Sequence, residues 1–491
     1  MLKRLRLDRP VINEGILLRP AIIVGVLFLA YYLGPRASVR MLVLPVAAVG
    51  ALVLSRRPEL GLVALLLGAL SVPFSIGTGT QTSLNPAVLL PPALVVVWAV
   101  DMVRRKEVRL VPSPVNLPIV AFVVSATLSF IGGSIKWNLW ADQASLRAQL
   151  GGWAVFAFSA ATFLLVGNQV KEVRWLKVFT GIFLVVGGLY VAGLVLPFVG
   201  PITGRLVAEG SRGSLFWVWL VALAGGQALF NKGLSRTERL ALLGLVALTL
   251  GVGWFGNRSW ASGWAPPGLV LLTLLWLRSP RLGLLATVGA AVMFFWTRSP
   301  GSITGAMPVT AQVLNLLGLP QQDPNLAASL IAQDQYSVDT RVVAWDIVVT
   351  KVLPANPILG LGPSNYYHYT KLYPILGWYV NFNSHNQYVD ILAQTGVLGL
   401  ATFAWLMAAM GRLGWTLRER VGDGFARGYV YACLAGLVGS LAAGALGDWF
   451  LPFVYNIGLA GFRASILGWL FLGGLVALWR IGTSANRRGS E

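Results

Sequence analysis

Only two histidines, His368 and His385, occur in the 491-residue chain, so any imidazole chemistry has two places to happen. His385 lies in NFNSHNQYVDILAQTGVLGL, residues 381–400, where a polar turn runs into an apolar helix. Ser384 or Asn383 is expected to cap that helix. A helix N-terminus disfavours the protonated ring and leaves a neutral imidazole that can accept a proton. Two readings stand side by side: a general base, or an interfacial polar residue that satisfies loop backbone. His368, in the aromatic turn NYYHYTKLY, reads as surface or aromatic packing. There is no HExxH or cysteine pattern to make a metal site. The single cysteine, Cys433, falls inside an apolar run and suits packing.

The cations divide similarly. Arg258, in WFGNRSWASGW, is set in a turn between apolar helices, either as a clamp for phosphate or as a snorkelling side chain among tryptophans. Arg341, in SVDTRVVAWDIV, has Trp345 four residues on and Asp339 two before it, so stacking or pairing are its ordinary explanations. Arg205 and Arg212, in TGRLVAEGSRGS, flank Glu209, which can neutralise one of them. Asp390 and Asp448 fall near helix ends, to orient a neighbour or to line a wet cavity. No DxD or paired-carboxylate cluster of the kind that binds a catalytic divalent metal stands among them. A phosphate-bearing substrate would then be neutralised by arginine, which predicts metal-independent transfer with no cofactor. The glycine turn PILGLGPSNYY is too generic for a nucleotide loop.

What must position these residues is a membrane-embedded scaffold. Hydrophobic residues make up 56% of the chain and charged residues 11%. The mean hydropathy is +0.71, and apolar runs long enough to span a bilayer recur throughout. The expectation is an all-α polytopic membrane protein with 12 to 14 transmembrane helices. Fourteen candidates centre on residues 18–34, 40–55, 59–76, 86–103, 117–133, 151–167, 174–197, 214–230, 238–254, 263–277, 281–296, 386–411, 427–447 and 462–479. The net charge of +20 comes from Lys and Arg scattered in short clusters between these runs, which reads as topology rather than nucleic-acid binding. With both ends cytoplasmic, 26 of the 38 Lys and Arg fall on inner segments and 12 on outer ones, as the positive-inside rule requires. The basic start MLKRLRLDRP leads into an apolar run without a convincing cleavage site and reads as an uncleaved first helix.

The organisation follows: N-terminal helices over 1–297, about eleven of them; an outer loop over 298–384; and C-terminal helices over 385–491, about three, with a cytoplasmic tail. Loops of this length are usually functional or separately folded. Within it AASLIAQDQ and TRVVAWDIVVTKVL are expected to form short amphipathic helices, in a cap that lies on the outer membrane surface.

Taken in order, these features resemble the O-antigen ligase and O-antigen polymerase superfamily of bacterial envelope glycosyltransferases. The resemblance rests on Arg258 in GNRSW, Arg341 to Trp345 in TRVVAW, Pro357 to Gly362 in PILGLG, and Ser384 to Gly399 in SHNQYVDILAQTGVLG. It covers residues 240–410, and Asn257-Arg258-Ser259 departs from the family's Ser-Arg pair. It implies transfer of a glycan from an undecaprenyl diphosphate carrier to a periplasmic acceptor, without metal and with inversion, at the bacterial inner membrane. By resemblance His385 is the base on the acceptor hydroxyl, and Arg258 and Arg341 hold the pyrophosphate, with Arg212 as the rival of Arg258. Asn386, Asp339 and Arg205 are the supporting residues. A ligase takes a lipid A core sugar or another lipid as acceptor, and a polymerase takes a second lipid-linked repeat unit; the ligase is the leading expectation. The alternatives are a peptidoglycan polymerase of the shape, elongation and division type, relying on Asp339 or Asp334, and a lipid-linked oligosaccharide flippase.

Overall fold

The computed structural model describes residues 56–77, 83–108, 110–196, 198–256, 260–298 and 338–488. The expected helices at 18–34 and 40–55, the uncleaved N-terminal segment, the AASLIAQDQ helix, Arg258 and Asp334 lie outside the described residues. Residues Met1–Arg57 form one unit and Pro58–Glu491 another, and the description below concerns the second.

Twelve long helices appear among the described residues: α1 (Pro58–Leu70), α2 (Pro86–Arg105), α3 (Asn116–Gly132), α4 (Leu146–Gln169), α5 (Val173–Val195), α6 (Ser214–Phe230), α7 (Arg236–Gly251), α8 (Ala261–Arg278), α9 (Pro280–Arg298), α10 (Gln387–Arg420), α11 (Phe425–Ala445) and α12 (Gly458–Arg488). They coincide with the last twelve expected spans. Seven are long and apolar enough to cross a membrane, so the protein is an all-α polytopic membrane protein. The described strands are two-residue pieces, Ile76–Gly77 paired with Ser83–Leu84.

The helix starts follow local chemistry. Asn85 caps α2 through its side-chain oxygen, which accepts from the Ala87 amide at 3.0 Å, with Pro86 in the first turn where its missing N–H costs nothing. Ser235 and Glu238 form a reciprocal capping box on α7. A helix that is apolar all round belongs in the middle of a bundle. That is the position of α6, buried along almost its whole length and packed by α7, α8, α11 and α12. By contrast α2 turns Val96, Val100 and Val103 outward, as a lipid-facing helix does.

One helix is broken. At Gly396 α10 takes φ +67° and ψ −171°, a conformation essentially reserved for glycine. The break frees backbone groups that in an apolar setting must find partners elsewhere. The PILGLG turn supplies them. Leu361 and Gly362 donate their amides to the carbonyls of Ala393 and Gln394, at 2.9 and 3.0 Å. Val397 and Leu398 donate theirs to the carbonyls of Pro357 and Ile358, at 2.9 and 3.2 Å. The Gln394 side-chain oxygen also accepts from the Ser364 amide at 3.1 Å. In the sequence PILGLG reads only as a generic glycine turn, and nothing ties it to Gly396, the first glycine of TGVLG. They form a matched joint instead.

The same turn docks on the other side against the α3–α4 connection. Asn365 donates to the Gly133 carbonyl at 2.9 Å and accepts from the Ala144 amide at 3.0 Å, and Ser364 Oγ donates to the Ala148 carbonyl at 2.9 Å. A Cβ on Gly396 would fall 2.1 Å from the Ile358 carbonyl oxygen, a backbone atom that cannot swing aside. Gly396→Ala is therefore expected to destabilise the protein by about 2–4 kcal/mol, seen as a lowered thermal unfolding midpoint in detergent. Gly244→Ala, on α7 where an added Cβ meets nothing within 4 Å, should leave that midpoint unchanged or slightly raised.

Candidate functional site

His385 is not on the helix. It precedes it, with φ +49°, one of four non-glycine residues at positive φ among those described. Such backbone persists only where the surroundings over-determine it, and three contacts do so here. Trp345 donates its indole N–H to the Ser384 carbonyl at 2.6 Å. Ser384 Oγ accepts from the Asn386 amide at 3.1 Å. Asn386 then caps α10, its side-chain oxygen accepting from the Tyr388 and Val389 amides at 3.0 and 3.4 Å. The cap is thus Asn386 and not Ser384 or Asn383. Ser384 is occupied in shaping the turn, and its hydroxyl also donates to Asp390 Oδ1 at 2.7 Å.

The spacing of Arg341 and Trp345 now has a reason. Both stand on the helix at 338–347, four residues apart and so on one face. Trp345 fixes the turn that carries His385, while the Arg341 charge acts on the imidazole itself. Arg341 also donates to the Leu446 carbonyl, at 3.5 Å. Burial, and secondarily the Arg341 charge, hold the His385 ring below its ordinary pKa. The neutral state expected from the helix N-terminus is supported, but with those two causes.

A third segment closes the site: residues 446–457, between α11 and α12. Phe450 and Leu451 donate their amides to Gln387 Oε1 at 2.9 and 3.0 Å. Asn456 Nδ2 lies 3.3 Å from His385 Nδ1 and is also bonded to Asp448 Oδ1. Asp448, fully buried, accepts from the Phe453 amide at 2.6 Å. Burial pushes its carboxyl up to about 6, against the lowering effect of the Phe453 and Asn456 hydrogen bonds. Asp390 is likewise buried and takes hydrogen bonds from Tyr366 and Ser384 on the same oxygen. Of the two roles foreseen for these aspartates, both orient neighbours.

The remaining expected residues are dispersed. His368 packs edge-on against Tyr455 and Tyr367, and its Nε2 lies 3.2 Å from the Tyr455 hydroxyl. Burial lowers its pKa, opposed by Asp142. Arg212 is engaged by its own loop: it donates to the Gly204 carbonyl at 2.7 Å and the Val207 carbonyl at 2.9 and 3.1 Å, and lies over the Tyr190 ring. Arg205 and Asp339 are exposed. The structure therefore brings together His385, Arg341 and Asn386 of the expected set, joins Asp448 to them, and adds Trp345 and Asn456.

Residues 234–404 match the sequence model of the O-antigen ligase family. The match supports the O-antigen ligase and polymerase superfamily, and with it a membrane enzyme of that type. It runs from α7 through the break in α10, taking in Arg341, Trp345, the PILGLG joint and His385. Asn456 and Asp448 lie beyond the O-antigen ligase match. No curated protein matches the chain.

With only two histidines, labelled imidazoles make the electrostatics directly measurable. Because Arg341 disfavours the imidazolium, Arg341→Gln should move the His385 titration midpoint upward, towards the ordinary value of 6.5, without reaching it, since burial persists. The His368 midpoint, shifted chiefly by its own burial, should stay in place. Nuclear magnetic resonance titration of histidine-labelled protein in detergent reads both.

Proposed function

We propose that the protein is a metal-independent, inverting glycosyltransferase that moves a glycan from an undecaprenyl diphosphate carrier to an acceptor on the periplasmic face of the inner membrane. The observation that carries this reading is the half-buried His385, its pKa held below the ordinary value by burial and by Arg341, in a strained turn within the segment that matches the O-antigen ligase family.

A neutral imidazole can take the proton of an acceptor hydroxyl as that oxygen attacks the anomeric carbon. The diphosphate leaves from the opposite side, so one displacement with one base inverts the configuration. The leaving group gains negative charge as its bond breaks, and a guanidinium fixed beside it stabilises that charge where it develops. Arg341 supplies one such group and Arg258 is the candidate for the second. Arg212, with its donors engaged by Gly204 and Val207, is the weaker rival.

The preferred acceptor is a lipid A core sugar, making the protein a ligase. In the peptidoglycan polymerase reading a loop carboxylate carries the chemistry. Asp339, exposed at the start of its helix, is a poorer candidate for that than His385 for the base.

The test is a reconstituted transfer assay with lipid-linked glycan donor and a lipid A core acceptor, run with and without chelator. Wild type should transfer in both conditions. His385→Ala should lower the rate by about 10²–10⁴-fold and Arg341→Ala by about 10²-fold, while Asp339→Ala leaves it near wild type. Transfer that survives in His385→Ala, or that is lost with the chelator, would overturn the proposal. Product formed only with a second lipid-linked unit as acceptor would make the enzyme a polymerase.

A further inference from the structure

We propose that Asn456, oriented by Asp448, is a positioning residue that sets the tautomer of His385, keeping the neutral ring's proton on Nε2 and its basic lone pair on Nδ1. The proposal rests on the reading of His385 as the base and deepens it by naming the nitrogen that does the work.

A carboxylate only accepts hydrogen bonds, so Asp448 requires the amino side of the Asn456 amide to face it. The opposite orientation would set the Asn456 carbonyl oxygen against a carboxylate oxygen inside the fold, where like partial charges are least screened. Asp448 is itself pinned through its other oxygen by the Phe453 amide, so it cannot swing away to relieve the mismatch. The amide orientation is thereby fixed by its environment, not by an arbitrary assignment of N and O.

The Asn456 amino group carries two protons. One goes to Asp448, and the same nitrogen lies 3.3 Å from His385 Nδ1. It can donate its second proton there only if Nδ1 is unprotonated. In a neutral imidazole the remaining proton must then be on Nε2.

The proton released by the acceptor hydroxyl must be taken up at Nδ1, the nitrogen that Asn456 covers. At 3.3 Å that contact is near the long limit of a hydrogen bond. An incoming hydroxyl can displace it while Asn456 keeps its bond to Asp448. The step balances: the acceptor oxygen bonds the anomeric carbon, the carbon–oxygen bond to diphosphate breaks with its electron pair, and the hydroxyl proton passes to Nδ1. The Nε2–H meanwhile remains a donor.

The tautomer is read without turnover, by long-range ¹⁵N–¹H correlation spectra of ¹⁵N-histidine-labelled full-length protein, with His368→Phe used to assign the rings. In wild type at a pH where His385 is neutral and Asp448, pushed up to about 6, is ionised, the His385 spectrum should show a protonated Nε2 and an unprotonated Nδ1. Asn456→Leu and Asp448→Asn should each yield a mixture of both tautomers. Turnover by Asn456→Leu should fall by about 5- to 10-fold in kcat, with the donor KM unchanged. A wild-type spectrum dominated by the Nδ1–H form would overturn the proposal, as would an Asn456→Leu spectrum identical to wild type. If the tautomer is as stated but His385→Ala still transfers glycan, the functional reading fails and the tautomer assignment stands.

Discussion

Backbone hydrogen bonding in an apolar setting is the constraint from which the rest of this architecture follows. A helix that breaks within a membrane bundle leaves carbonyls and amides with no water to turn to. In α10 the break at Gly396 exposes the carbonyls of Ala393 and Gln394 and the amides of Val397 and Leu398, and the PILGLG turn meets all four. The turn can approach that closely because Gly360 and Gly396 lack side chains. Once there, it presents Ser364 and Asn365 to the α3–α4 connection. A single backbone joint thus ties three separate parts of the chain together. The turn that carries His385 is the segment immediately before the same broken helix.

The site is built on that frame by elements far apart in sequence. Trp345 reaches the Ser384 carbonyl across 39 residues, and Asn456 reaches His385 across 71. Neither is a candidate for chemistry by residue type. Both constrain a histidine whose backbone is already unusual, and a strained residue held from several sides is the arrangement expected where geometry must not relax. Burial, and secondarily the Arg341 charge, hold the imidazole of that histidine below its ordinary pKa.

Much of the fold could be read from the sequence, because long apolar runs separated by basic clusters have few alternatives. The long helices coincide with the last twelve expected spans, and Arg341 stands on a short helix of the connection before α10, as TRVVAWDIV suggests. What escaped was the part that depends on backbone conformation. Nothing in SHNQ shows that His385 stands outside the helix at positive φ, or that Asn386 is the cap, since all of Asn383, Ser384 and Asn386 are good capping types. The pairing of TGVLG with PILGLG leaves no trace in hydrophobic periodicity, because both are glycine-containing turns that join only in three dimensions. Arg463 shows a different limit: its place at the edge of an apolar run suggests a topology signal, yet it is buried and donates to the carbonyls of Gly68 and Phe74 at 2.9 and 2.7 Å. Asp448 stands out in GDWFLPFVYN as a carboxylate among apolar residues, suited to orienting a neighbour, but nothing in the sequence names Asn456 as that neighbour.

The docking of residues 357–365 between the α3–α4 connection and the broken helix bears on what kind of object the described segment before α10, residues 338–386, is. An autonomous ectodomain would satisfy its backbone internally and could be excised and studied in water. Here the amides of Leu361 and Gly362 and the side chains of Ser364 and Asn365 take their partners from membrane helices and the connection between them. Cut free, the segment would carry unmet polar groups and lose the surface that shapes it. It is better regarded as an extension of the membrane bundle than as a lid resting on it, and soluble fragments of this region would not reproduce the environment of His385.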